Sequence, residues 1–454
     1  VAPSVERSKH DRRSNNQPKE IFMSDHGLAG LLSGLSRAGG VFSRRRLLRT
    51  TTLAVAGAAF SAGREAHAQS PQNVRSAEHG ASASNPGPEN EALKALNPNS
   101  YLPPPTDHGD PQTFWSSFSL MHRRVQDGGW TRQVNVRDFP ISTQIAGVNM
   151  RLTAGGIREL HWHKANEWAL MLNGNCRLTA LDFDGRPYVN DVTAGDLWYF
   201  PTGVPHSLQG LGPDGCEFLL VFDDGNFSED DTTLLSDWMI HTPREVVAKN
   251  WGVAKEALDP FNSIRPDGRY IFQAPVPPPL ERDREAVTRD GRATTTAFQF
   301  RMMQMKPQKT TKGGEVRIVD STNFPAAANI AMAHVTLKPG ALRELHWHPN
   351  ADEWQYYIQG SGRMTVFFNR ATSRTIDFRA GDVGFVPQTL GHYVENTGDT
   401  DLVFLEMFKA PRFQDISLND WLTHIPPELV IEHLGISQQT LSAIPRANYA
   451  VLPA

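Results

Sequence analysis

The sequence predicts an all-β protein with peripheral helices, organised as two tandem barrels, and three observations carry that reading. The hexapeptide Arg158-Glu159-Leu160-His161-Trp162-His163 recurs as Arg343-Glu344-Leu345-His346-Trp347-His348. Short apolar runs broken by Gly, Asn and Asp follow each copy, as β-strands joined by tight turns require. A proline-rich stretch, Gln273-Ala274-Pro275-Val276-Pro277-Pro278-Pro279, separates the copies as a stiff extended join.

At 454 residues, with 39% apolar and 21% charged content, the chain buries more than one core. Residues 1–68 hold 11 of the 45 basic side chains and 5 of the 49 acidic ones, so the remainder carries a net charge of -10. An acidic body argues against nucleic acid as a partner. It leaves room for a small anion, because a metal ion and one or two arginines reverse the field within a cleft.

The basic head resembles an export signal of the twin-arginine type. Ser43-Arg44-Arg45-Arg46-Leu47-Leu48-Arg49 precedes an apolar run from Thr51 to Gly63, and Ala66-His67-Ala68 supplies small residues for cleavage. The alternative is an uncleaved anchor, but about thirteen residues fall short of the ~20 that span a bilayer. Cleavage after Ala68 leaves no membrane association and implies a periplasmic or secreted protein; Met23 would give a more ordinary start. Residues 69–105 read as a surface arm, 106–272 as the first barrel, 273–282 as the linker and 283–454 as the second barrel. Cys176 and Cys216 are expected as buried strand thiols, with a disulfide between them as the alternative.

The echo extends well beyond the hexapeptide. Glu167-Trp168 matches Glu353-Trp354, Ala194-Gly195-Asp196 matches Ala380-Gly381-Asp382, and His206 matches His392, all about 186 residues apart. That spacing indicates duplication of a whole domain, since solenoid periods are 20–50 residues. Within the first unit, Glu167 to Leu172, Cys176 to Phe183, Leu197 to Phe200 and Phe218 to Phe222 are expected strands, punctuated by Asn173-Gly174 and Asp184-Gly185. Helical signals close the units from Thr232 to Ala257 and from Leu418 to Ala443.

Alternation along a strand points His161 and His163 the same way and turns Trp162 outward. Glu167 stands just across a turn, and His206 arrives from a distant strand. Three imidazoles and a carboxylate form a ligand set for a divalent cation with positions left open. A lone strand histidine is more often a packing residue, but the set His346, His348, Glu353 and His392 repeats it in full. By themselves such ligands suit several first-row metals, with Mn2+ bound most weakly.

Gly155-x5-His161-x-His163-x3-Glu167-x6-Gly174 and Gly195-x5-Pro201-x-Gly203-x2-His206 resemble the two cupin motifs, and Gly340 to Gly360 with Gly381 to Asn396 resemble them again. Gly210 stands where the second motif often has Asn, and Thr389-Leu390-Gly391 replaces its Pro-x-Gly spacing. The resemblance implies double-stranded β-helix (jelly-roll) barrels. Arg158 and Arg343, each three residues before its first ligand, and the proline-rich linker are most similar to the oxalate decarboxylases among bicupins. That resemblance implies manganese in each domain, dioxygen as co-catalyst, oxalate as substrate, formate and carbon dioxide as products, and a trimer or hexamer of subunits.

The copies differ where a lid would lie. Ser228-Glu229-Asp230-Asp231-Thr232 makes the stretch from Phe227 to Asp237 three residues longer than its counterpart from Phe413 to Asp420. A solvated acidic loop is one reading; a lid over residues 227–233 is the other. The family resemblance places a general acid on Glu229, with Arg158 holding a substrate carboxylate. On the final strand of the second unit Glu406 stands where the first has Leu220, and it is expected either as a proton donor or as a partner of Arg343. Trp162 and Trp347 are expected to pack outside the barrels, with electron transfer as the lesser alternative. An oxalate oxidase making peroxide, a non-catalytic metal-binding bicupin and a quercetinase-like dioxygenase remain as rival readings.

Overall fold

The computed structural model describes residues 90–265 and 268–454. The twin-arginine-type segment, its cleavage site and the first part of the arm lie outside the described residues.

The first barrel is one continuous antiparallel sheet. Its central path runs Thr233–Leu234, Gly156–Trp162, His206–Gly210, Glu167–Leu181, Cys216–Phe222, Ala146–Leu152, Gly129–Val134 and Arg124–Gln126. The strand Glu167–Leu181 is what makes it continuous. Asn173-Gly174, expected as a break, is instead a bend within the strand: residues before it pair with Cys216–Phe222, and residues after it pair with Pro187–Thr193 and His206–Gly210. Gly174 has φ +74°, and a Cβ there would lie 2.0 Å from the Gly215 carbonyl oxygen, so only glycine lets the strand turn from one face to the other.

In the second barrel the same corner falls at Gly360 (φ +85°), where the chain divides into Glu353–Gln359 and Ser361–Phe367. Seven- and six-stranded sheets result, the six-stranded one including Leu342–Trp347 and His392–Asn396. Trp115–Ser117, at the head of the first sequence unit, pairs with Asp382–Val386 of the second barrel, and Gln299–Phe300 pairs with Leu197–Phe200 of the first. Apolar burial drives this exchange: Phe114 and Phe118 are fully buried beside Phe378 and Tyr356 of the second barrel.

Short helices close each unit, Leu235–Ile240 with Arg244–Trp251, and Leu418–Thr423 with Pro427–Leu434 and Gln438–Ala443. Pro243 and Pro426 break them where the missing N–H ends a helical ladder. Their tryptophans meet the outward strand residues edge to face, Trp162 with Trp238 at 5.6 Å and Trp347 with Trp421 at 5.5 Å. Cys176 and Cys216 are free, buried thiols. Among the described residues no helix is long and apolar enough to cross a membrane.

Candidate metal centres and the lid

Antiparallel register assembles each cage. His161 lies directly opposite His206, and His346 opposite His392, while His163 and Glu167 flank a turn that returns the chain to the same interior. All four ligand atoms of His161, His163, Glu167 and His206 lie within 4.8 Å of one another, as do those of His346, His348, Glu353 and His392, and all eight side chains are buried.

The ring orientations decide what the cages hold. Every Nδ1 faces a backbone carbonyl: His161 to Glu159 at 2.6 Å, His163 to Ala165 at 2.7 Å and His206 to Val204 at 2.8 Å. The second cage repeats this with Glu344 at 2.6 Å, Gln414 at 2.7 Å and Leu390 at 3.0 Å. Each Nδ1–H is therefore spent as a donor, and each Nε2 presents a lone pair to the centre. His346 Nε2 and His348 Nε2 stand 3.1 Å apart, and Glu353 Oε2 lies 2.7 Å from His392 Nε2. Facing lone pairs at those separations repel unless a cation sits among them. His206 Nε2, His392 Nε2 and Glu353 Oε2 have no hydrogen-bond partner although buried, so a divalent cation fits both cages.

Burial lowers the proton affinity of His161, His206 and His346, with Arg158 and Arg343 adding to the effect on the first and last. Burial pushes Glu167 up, but His206 and His163 outweigh it and hold the carboxyl well below its usual range. Burial works against the charge on His348 as well, but Glu353 outweighs it and raises that imidazole; a cation takes the place of the proton there, since neutral imidazoles beside an ionised carboxylate are the ligand forms. Glu167 Oε1 accepts from Trp198 Nε1 at 3.0 Å, whereas Glu353 Oε1 accepts from Gln355 at 2.7 Å, itself held by the Tyr357 hydroxyl at 2.8 Å.

Outside the cages the barrels diverge. In the first, Glu229 is buried, 6% exposed, with its carboxylate 3.4 Å from Arg158 Nη2 and accepting a hydrogen bond from the Tyr270 hydroxyl. Arg158 lies over the Tyr270 ring, 4.1 Å from its centroid, and its Nη1 is buried without a partner. Phe227 stacks on Phe222 at 3.5 Å and stands 5.6 Å from His163, so the start of the 227–233 loop packs against the first cage.

In the second barrel the matching arginine is consumed. Arg343 donates to Glu406 Oε1 and to Asp415 Oδ2, both at 2.9 Å, and is fully buried between them. The structure thus pairs Glu406 with Arg343. Burial raises the Glu406 carboxyl, with the arginine opposing.

Tyr270 is the residue sequence reasoning missed. It sits at φ +58°, and the register Ile271 to Arg158 and Val451 to Arg343 makes Ala450, at φ +60°, its counterpart. A bulky aromatic in the left-handed region costs on the order of 1–3 kcal/mol and persists where neighbours impose it. Glu159 imposes it, accepting the backbone N–H of Tyr270 at 2.8 Å, Arg269 at 2.9 Å and Ser236 at 2.6 Å. The signal in the sequence is Tyr opposed to Ala in the duplicated register.

A profile described as cupin matches residues 120–259 and again 302–442. The chain is 48% identical over 365 residues to the oxalate decarboxylase of Bacillus subtilis, covering 80% of this chain and 93% of the relative. It is 39% identical over 370 residues to a probable oxalate decarboxylase of Arthroderma benhamiae, covering 81% and 90%. Among solved structures, one of the Bacillus subtilis oxalate decarboxylase studied for its Mn(II) centres superposes with a TM-score of 0.78 at 46% identity, over 82% of this chain and 97% of the other. A structure of that protein at pH 4.6 gives the same TM-score of 0.78 at 47% identity, over 82% and 96%.

Proposed function

The chain belongs to the cupin family and, within it, to the two-barrel oxalate decarboxylases, and from that membership we propose that it converts oxalate and one proton into formate and carbon dioxide, with turnover in the first barrel. The observation that carries the assignment of the working barrel is Glu229, buried against Arg158 and Tyr270 beside the first cage. Manganese in each three-histidine, one-glutamate cage would supply a Lewis acid for the substrate carboxylate and a one-electron couple, with dioxygen as the co-catalyst.

The protein's own groups do the rest. Arg158 Nη1, the unsatisfied donor, takes a carboxylate oxygen of oxalate and draws charge toward it. The closed lid keeps bulk water from the carbon that loses carbon dioxide. Glu229 Oε2, held by the Tyr270 hydroxyl, carries the proton that this carbon must receive. With that proton delivered, the overall change is redox-neutral and formate leaves; without it, two electrons go to dioxygen and the products are two carbon dioxide and hydrogen peroxide. Lid chemistry therefore separates decarboxylase from oxidase. Arg343, held by two carboxylates, has no comparable free donor, which supports a non-catalytic role for the second barrel.

Formate and peroxide yields from oxalate test the reading. Glu229→Ala is expected to retain manganese and lose formate formation by about 10²–10⁴-fold; full formate yield in that variant refutes Glu229 as the acid. Export through the twin-arginine-type segment is part of the proposal, checked by cell fractionation. So is self-association, supported by half-exposed Trp238, Trp421, Leu429 and Leu434 on the helical faces and checked by light scattering.

A further inference from the structure

A cavity of about 350 Å³ has Arg124, Arg132, Gln133, Arg137, Glu229 and Asp230 in its wall. Its three guanidiniums are unequally occupied. Arg124 is 3.0 Å from Asp230 and stacks 3.8 Å from the Tyr270 ring centroid. Arg132 donates from Nε to Asn149 at 3.0 Å, and Arg137 donates from Nη2 to Ser228 Oγ at 3.4 Å. Among the described residues neither forms an ion pair with a carboxylate; the exposed Asp138, also in the wall, is paired with neither. Burial lowers the proton affinity of the Arg132 guanidinium, and nearby Arg123 adds like-charge repulsion. The Phe118 and Trp130 rings flank this guanidinium, and Glu217, bonded to the far side of Asn149, acts on it through space without a direct ion pair, so its terminal nitrogens remain open to an anion.

We propose that this cavity is an anion antechamber, in which a small dicarboxylate docks across Arg132 and Arg137 before it reaches the first cage. The inference rests on oxalate as substrate. Of the three arginines at this opening Arg124 is paired with Asp230, and Arg132 and Arg137, without an ion-pair partner among the described residues, are the two that draw a dianion there. The lid is tied to the same donors. Asp230 is held by Arg124, Ser228 by Arg137, and the Glu229 backbone N–H donates to Gln133 Oε1 at 3.1 Å. A dianion in the cavity competes with Ser228 for Arg137, so occupancy favours the open lid and vacancy favours the closed one.

Steady-state kinetics on oxalate with the manganese-loaded protein test this, alongside calorimetric titration with malonate, a dicarboxylate that reads binding without turnover. Arg132→Gln and Arg137→Gln are each expected to raise KM about tenfold, to flatten the salt dependence of kcat/KM and to weaken malonate binding. Arg132→Lys restores most of the KM. Ser228→Ala, which removes the internal partner of Arg137, lowers KM. The formate-to-peroxide ratio of the arginine variants stays that of the unsubstituted protein, which separates docking from proton delivery. Arg137 is exposed, so its variant folds; an unaltered KM and salt dependence in Arg137→Gln, or a loss confined to kcat, overturns the antechamber. Absence of formate from the unsubstituted protein refutes the substrate assignment instead, and the malonate titration still reports on the arginines.

Discussion

Replacing Tyr270 by Phe isolates one hydroxyl. The ring remains, and with it the stacking of Arg158 at 4.1 Å and Arg124 at 3.8 Å. The left-handed backbone at φ +58° and its clamp by Glu159 are common to both proteins, so their cost cancels in the comparison. What disappears is the hydroxyl donor to Glu229 Oε2, which among the described residues otherwise has the Arg158 contact at 3.4 Å. A buried hydrogen bond to a charged group contributes about 1.5–3 kcal/mol, and if that interaction orients the acid only when the proton is transferred, the rate of formate production falls by about 10–150-fold. Peroxide per oxalate consumed should rise at the same time, because the step before protonation is untouched. The assay is paired measurement of formate and peroxide at saturating oxalate, with manganese content determined on the same sample. A formate rate within threefold of the unsubstituted protein at full metal loading refutes the assigned role of the Tyr270 hydroxyl.

Three further outcomes are expected. Arg343→Met leaves Glu406 and Asp415 buried without their cation, which costs about 3–5 kcal/mol and should lower Tm by on the order of 10 °C; replacing all three by apolar residues recovers most of it, as thermal unfolding will show. Burial, aided by Arg317, lowers the His334 imidazole from 6.5 to about 4 in the folded chain. The unfolded chain therefore binds the extra proton first, and stability present above pH 6.5 declines as pH falls toward 4, by up to about 3 kcal/mol; denaturant titrations of His334→Phe should lack that component. Chelation should remove two ions per chain and lower Tm, since ligands that bind only the folded state stabilise it. His206→Ala and His392→Ala should each forfeit one ion by elemental analysis.

The cages were legible in the sequence because two local rules fix them. Alternation on a strand places His161 and His163 on one face, and the duplication repeats all four ligands at the same spacing. The 227–233 loop was legible as an insertion between otherwise matched copies. The expected break at Asn173-Gly174 failed because glycine at positive φ serves a bend as well as a turn, and local sequence does not say which; only the Gly215 carbonyl 2.0 Å from a virtual Cβ does. Glu406 pairs with Arg343, and Asp415, whose carboxylate reaches the same arginine from 72 residues away in the chain, was not legible.

The metal-ligand residues and the barrel architecture were determined by the sequence itself, since each depends on residues near one another or repeated in register. The contact between Glu229 and Tyr270, the second barrel's arginine held by two carboxylates and the cavity wall that joins Arg124, Arg132 and Arg137 were decided by tertiary structure. Glu229 meets Tyr270 across 41 residues, and Asp230 meets Arg124 across 106. Such contacts follow from strand register and barrel closure, which place a side chain by the paths of its neighbours and leave no periodic trace along the chain.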